Sequence, residues 1–107
     1  MKLIVAIVSS EDTTKVSREL IRAQFPITKF STTGGFLMTG NTTFVVGVED
    51  DMVQYVLDII GKNSKTRSKM VPTSASYGMG MLASIPIEVP VGGATVFVLD
   101  VDQFIKL

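Results

Sequence analysis

The chain has 107 residues, 46% of them hydrophobic and 19% charged, with ten Lys plus Arg balanced by ten Asp plus Glu. That length fits a single domain spanning 1–107. Zero net charge with no basic run argues against binding duplex nucleic acid, and the lack of any Cys or His removes disulfides, thiolate metal sites and the commonest general base.

No stretch of about 18 apolar residues is present, so no membrane insertion is expected. The opening Met1-Lys2-Leu3-Ile4-Val5-Ala6-Ile7-Val8 is short, β-branched and followed at once by Ser9-Ser10-Glu11-Asp12. It reads as a first strand rather than a signal peptide, and a cytoplasmic protein is expected. With no G-x-S-x-G, P-loop or kinase signature, nothing supports an enzyme. A mean hydropathy of +0.40 leaves surplus apolar surface for a protein this small. A subunit interface is the simplest place for it.

Leu3 to Val8 is a continuous apolar run, expected to be a central strand buried on both faces or nearly so. Ser9 and Asp12 are spaced as in a capping box, and a helix follows to about Gln24. Val16, Leu20 and Ala23 form its apolar stripe. Phe25-Pro26 ends it, because a residue before Pro avoids the helical region. Ile27 to Ser31 alternates, with Thr28 and Phe30 on one face and Ile27 and Lys29 on the other.

The next stretch carries most of the functional signal: Thr32-Thr33-Gly34-Gly35-Phe36-Leu37-Met38-Thr39-Gly40-Asn41-Thr42-Thr43. Glycines bracket three large apolar residues, and short hydroxyl and amide side chains surround them. Bare backbone N–H groups, an amide that donates and accepts, and an apolar platform suit a ligand with flat rings and phosphates; the alternative is a simple hairpin connection. Phe44 to Val48 is a third strand, with Gly47 marking either close approach of another group or a packing accommodation.

Glu49-Asp50-Asp51 is better explained by the start of a second helix than by a metal site. Val53, Val56, Leu57 and Ile60 form that helix's stripe, with Gly61 as its stop and Tyr55 off the stripe. Lys62 to Lys69 is expected to be a solvated loop or short edge strand. Thr73 to Ala83 is irregular and contains Tyr77, Met79 and Met81, a composition that adapts to partners. Ser84 to Val89 reads as a strand with Pro86 on an edge, and Pro90-Val91-Gly92-Gly93 as a turn. Ala94 to Leu99 is a second central-looking strand, and Asp100 to Ile105 a helical turn or edge piece.

The element order predicts an α+β, ferredoxin-like β-α-β-β-α-β fold with a long extra loop between the second helix and the last core strand. One sheet face would be left bare and apolar. This order, with Thr32–Leu37, Gly40–Phe44 and the run Gly92-Gly93-Ala94-Thr95-Val96-Phe97-Val98-Leu99, resembles the PII-like cyclic di-AMP receptor proteins of bacteria over nearly the whole chain.

The resemblance implies a homotrimeric, non-enzymatic signal-transduction protein with no cofactor. It implies that cyclic di-AMP binds in clefts between subunits, with loops passing the signal to an unknown protein target. It also implies a ligand-binding set of Gln24, Thr28, Gly35, Phe36, Leu37, Asn41, Gly47 and Phe97. Asn41 would address an adenine edge, since an amide can donate and accept at once. Phe97 would offer a ring face, and Gly47 would leave room. Family members commonly carry Asn and Arg where this chain has Gln24 and Pro26, and Pro26 supplies neither charge nor N–H. The alternatives are a PII-like sensor of ATP or ADP, or an oligomeric scaffold without ligand.

Overall fold

The computed structural model describes residues 1–32, 40–72 and 86–107. The elements are β1 (Lys2–Ser9), α1 (Thr13–Arg22), β2 (Thr28–Thr32), β3 (Asn41–Val48), α2 (Val53–Asn63), β4 (Arg67–Pro72), β5 (Pro86–Val91) and β6 (Ala94–Asp100). Four strands form an antiparallel sheet in the order β2-β3-β1-β6, and β4 and β5 pair separately as an antiparallel ladder. The ferredoxin-like expectation holds. The expected long loop instead contains β4 and β5, so the strand foreseen over Ser84–Val89 runs Pro86–Val91 and its turn narrows to Gly92-Gly93.

The core lies between one face of the sheet and the two helices. Ile4, Ala6 and Val8 of β1 and Phe44, Val46 and Val48 of β3 meet Val16 and Leu20 of α1 and Val56 and Ile60 of α2. β1 is therefore not buried on both faces within the protomer. Its residues alternate, with Leu3, Val5 and Ile7 only partly covered, because both helices occupy the same side.

Several boundaries differ from expectation for identifiable reasons. α1 starts at Thr13 with Asp12 at its N-cap, yet the Asp12 side chain makes no capping bond; its carboxylate is engaged by Arg67 instead. A charge-assisted pair outcompetes a cap to a neutral N–H. α1 ends at Arg22, before Phe25-Pro26. Gln24 takes the left-handed conformation (φ 67°), its N–H donates to the Ile21 carbonyl (2.8 Å), and the Phe25 N–H reaches the Leu20 carbonyl (3.1 Å). This is a Schellman closure.

Gly61 does not stop α2, which continues to Asn63. There the Asn63 amide donates to the Ile59 carbonyl (2.7 Å) and the buried Ser64 hydroxyl to that of Ile60. Asp50 lies in the short 3-10 turn before α2, 2.9 Å from the Met1 amino group. Among the described residues no cluster of three metal-ligating acids forms. Beyond Asp100 the chain is irregular rather than helical. The segment from Thr73 to Ala83, with Tyr77, Met79 and Met81, lies outside the described residues.

Candidate functional site

The ladder register sorts the expected ligand residues by face. On β3, Thr42, Phe44, Val46 and Val48 point to the helices, so Asn41, Thr43, Val45 and Gly47 share the opposite, helix-free face. Thr28 pairs with Val45, Val45 with Val5, and Val5 with Phe97. Thr28 and Phe97 thus stand in one row on that face, at its two edges, with Phe97 53% exposed. The next row joins Gly47, Leu3 and Leu99. Of the eight expected residues, Thr28, Asn41, Gly47 and Phe97 therefore share the helix-free face. Gln24 is exposed in the connection before β2. Gly35, Phe36 and Leu37 lie outside the described residues.

The four do not converge within one chain. Asn41 and Gly47 are six residues apart on β3, about 20 Å at the rise of a strand. Thr28 and Phe97 are separated by three strand spacings, about 14 Å. Gln24, Thr28 and Gly47 gather towards one end of the sheet, and Asn41 lies at the other. A Cβ added at Gly47 would make only an ordinary 3.5 Å contact with Met1 Cε. Among the described residues, packing gives no reason for glycine there.

At the Asn41 end lies an open cleft of about 350 Å³. Its floor is Ile7, Ser9, Asn41 and Thr95, all on the helix-free face, and its far wall is Thr66 with Gly92 and Gly93. Phe97 is two residues along β6 from Thr95. The wall is built where α2, β4, β5 and β6 meet. Gly92 (φ 85°) and Gly93 (φ 80°) are both left-handed. A Cβ at Gly92 would lie 2.6 Å from the Lys65 carbonyl oxygen and 2.7 Å from Arg67 Nη1, and one at Gly93 would lie 2.7 Å from Thr66 Oγ1. Conformation and close approach both demand glycine. The Gly93 N–H donates to the Ser64 carbonyl, closing the junction.

Beside this wall, Arg67 holds Asp12 through two bonds, Nη2 to Oδ1 at 2.9 Å and Nη1 to Oδ2 at 3.2 Å, with Glu11 at 3.6 Å. Asp12 is only 5% exposed. The hydrogen bonds from Arg67 to Asp12 raise the guanidinium pKa above its already high value, so Arg67 stays charged at any physiological pH. Sequence reasoning missed Thr66, Thr95 and Arg67. Arg67 sat in a stretch that looked like a solvated basic patch, and only the fold brings it to Asp12, 55 positions away.

A ferredoxin-like sheet with both helices on one face and an apolar opposite face defines a small PII-like domain. A sequence model of the Cyclic-di-AMP receptor family matches residues 1–107, and the chain belongs to that family. It is also similar to a solved structure of a functionally unknown protein from Pediococcus pentosaceus ATCC 25745. The two are 45% identical, the match covers 99% of this chain and 96% of that one, and the TM-score is 0.77.

Proposed function

We propose that this protein is a cytoplasmic, non-enzymatic receptor that binds cyclic di-AMP at the subunit interfaces of a homotrimer. The observation that carries the reading is the spread of the expected ligand residues over the helix-free face. A compact nucleotide that touches Asn41 does not reach Gly47 of the same chain. Each ligand therefore takes Gln24, Thr28 and Gly47 from one subunit, and Asn41 with Gly35, Phe36 and Leu37 from the next.

The helix-free face supports the same assembly. Leu3, Val5, Ile7, Phe30, Val45, Phe97 and Leu99 line it, with Phe30 49% and Leu99 48% exposed. A second cover on this face also accounts for the continuous apolar run of β1. In such a site Asn41 addresses an adenine edge, Phe97 supplies a ring face, and backbone N–H groups of the glycine segments receive the phosphates. Stacking of a base on an aromatic ring is worth about 1–3 kcal/mol. The signal then passes to a protein target.

Isothermal titration with cyclic di-AMP, run beside cyclic di-GMP, ATP and AMP, tests the reading. The expected result is low-micromolar or tighter binding of cyclic di-AMP alone, near one ligand per subunit, lost in Asn41→Ala with assembly intact. Binding of ATP instead assigns the site to a PII-like sensor of another adenine nucleotide. That outcome has a specific basis: Pro26 stands where family members commonly carry Arg, and loss of one charge-assisted hydrogen bond of about 1.5–3 kcal/mol weakens phosphate binding. Silence with all four leaves an oligomeric scaffold.

A further inference from the structure

The β4–β5 hairpin is joined to the body of the protein at its base. Its two strands pair with each other, and among the described residues no core element packs extensively on either of them. Three links hold the base: the Gly93 N–H to the Ser64 carbonyl, the close fit of Gly92 and Gly93 against Lys65–Arg67, and the two-pronged Arg67–Asp12 pair. The last reaches outside the junction itself, to the N-terminus of α1, with Glu11 beside it at 3.6 Å. The same junction supplies Thr66, Gly92 and Gly93 to the wall of the cleft that Asn41 lines.

We propose that Arg67 and Asp12 form a positioning pair that fixes the β4–β5 hairpin against the sheet and thereby sets the width of the nucleotide cleft. Neither residue lines that cleft. Asp12 is buried and stands at the start of α1, so it serves as the fixed point. Arg67 is the first residue of β4, so the angle of its guanidinium fork fixes the direction in which the hairpin leaves the domain. A planar fork gripping a carboxylate at two points constrains rotation in a way that a single contact does not. The claim about affinity rests on the receptor reading above; the claim about hairpin orientation does not.

The chain has no native Cys. Spin labels at Lys15→Cys on α1 and Met70→Cys on β4, both exposed positions, therefore report the orientation directly in the ligand-free protein. The expected result is a narrow distance distribution in the parent, a clearly broader one in Arg67→Gln, and an intermediate one in Arg67→Lys, which keeps the charge but loses the fork.

Because Arg67→Gln leaves a buried carboxylate without its cation, the double variant Asp12→Asn/Arg67→Gln is measured beside it. It removes the buried charge and keeps a good N-cap, and it is expected to be equally broad. Cyclic di-AMP affinity is expected to fall about tenfold in both, the scale of one strong polar interaction. A merely structural role would lower the melting temperature and leave the distance distribution narrow, and that result overturns the proposal. Broadening without any loss of affinity refutes the link to the cleft. A parent protein that takes up no cyclic di-AMP sinks the receptor reading and the affinity claim with it, while the distances still decide the latch.

Discussion

Gln24 occupies a backbone conformation in which a side chain costs roughly 1–2 kcal/mol, and glycine or asparagine is the usual occupant. Its place in the proposed site gives a reason to keep an amide there despite that cost, since strain tends to persist where function holds it. Gln24→Gly is expected to raise stability by about 1 kcal/mol, or about 4 °C in melting temperature for a domain of this size, while weakening cyclic di-AMP binding. Gln24→Asn should recover most of the stability and keep the binding, because asparagine tolerates the left-handed region and retains the amide. Differential scanning calorimetry beside ligand titration separates the two effects. A Gln24→Gly variant that binds as well as the parent removes Gln24 from the site. None of this was legible in the sequence: Phe25-Pro26 announced a helix end, but the closure through Gln24 and Phe25 depends on backbone angles that no residue type here dictates.

At the scale of elements, α2 shows how a glycine can mislead. Gly61 stands where a stop would be expected, but Ser64 and Asn63 take up the last carbonyls and the helix runs through it. Gly61 is exposed, and nothing lies within 4 Å of a Cβ added there. Gly61→Ala should therefore stabilise the protein by about 0.5–1 kcal/mol through helix propensity alone, read as a higher denaturant midpoint with an unchanged slope.

The core elements were legible because their periods are clean. Period two in β2, and the spacing of Val56 and Ile60 in α2, settle which faces turn inward. β4 and β5 were harder because Pro72 and Pro86 stand at their ends and Pro90 lies inside β5. Those prolines are tolerated because, among the described residues, each strand has one ladder partner and an outer edge that needs no donor. The turn at Gly92-Gly93 was visible, but what it packs against was not, since Arg67 and Asp12 come together only through the tertiary fold.

At the scale of the molecule, the proposed receptor uses the helix-free face for both its assembly and its site, so breaking the assembly should also remove ligand binding. Leu99 lies in the row with Leu3 and Gly47, away from the cleft lined by Asn41. Leu99→Asp is expected to convert a trimer into monomers by light scattering, with far-ultraviolet dichroism unchanged, because a charge on an apolar interface meets no partner. A parent protein that is itself monomeric, or a variant that stays trimeric, contradicts the assembly. The sequence made a bare apolar face foreseeable from its composition and element order. It could not show that Asn41 and Gly47, both expected to contact ligand, would fall at opposite ends of that face, because the separation arises from strand register.

The position of β1 in the sheet also bears on how the protein is made. β1 is the first strand of the chain and lies between β3 and β6, so its second edge waits for Ala94–Asp100. Until those residues arrive, the most apolar strand presents a row of unpaired backbone groups beside an uncovered apolar face, the arrangement most open to wrong pairing. Closing that edge joins residues from Val8 and Ala94 to Lys2 and Asp100, far apart in the chain, a long-range step of the kind that slows folding relative to helical domains of equal size. Subunits can join only after that step, because the face they would bury is not complete before it.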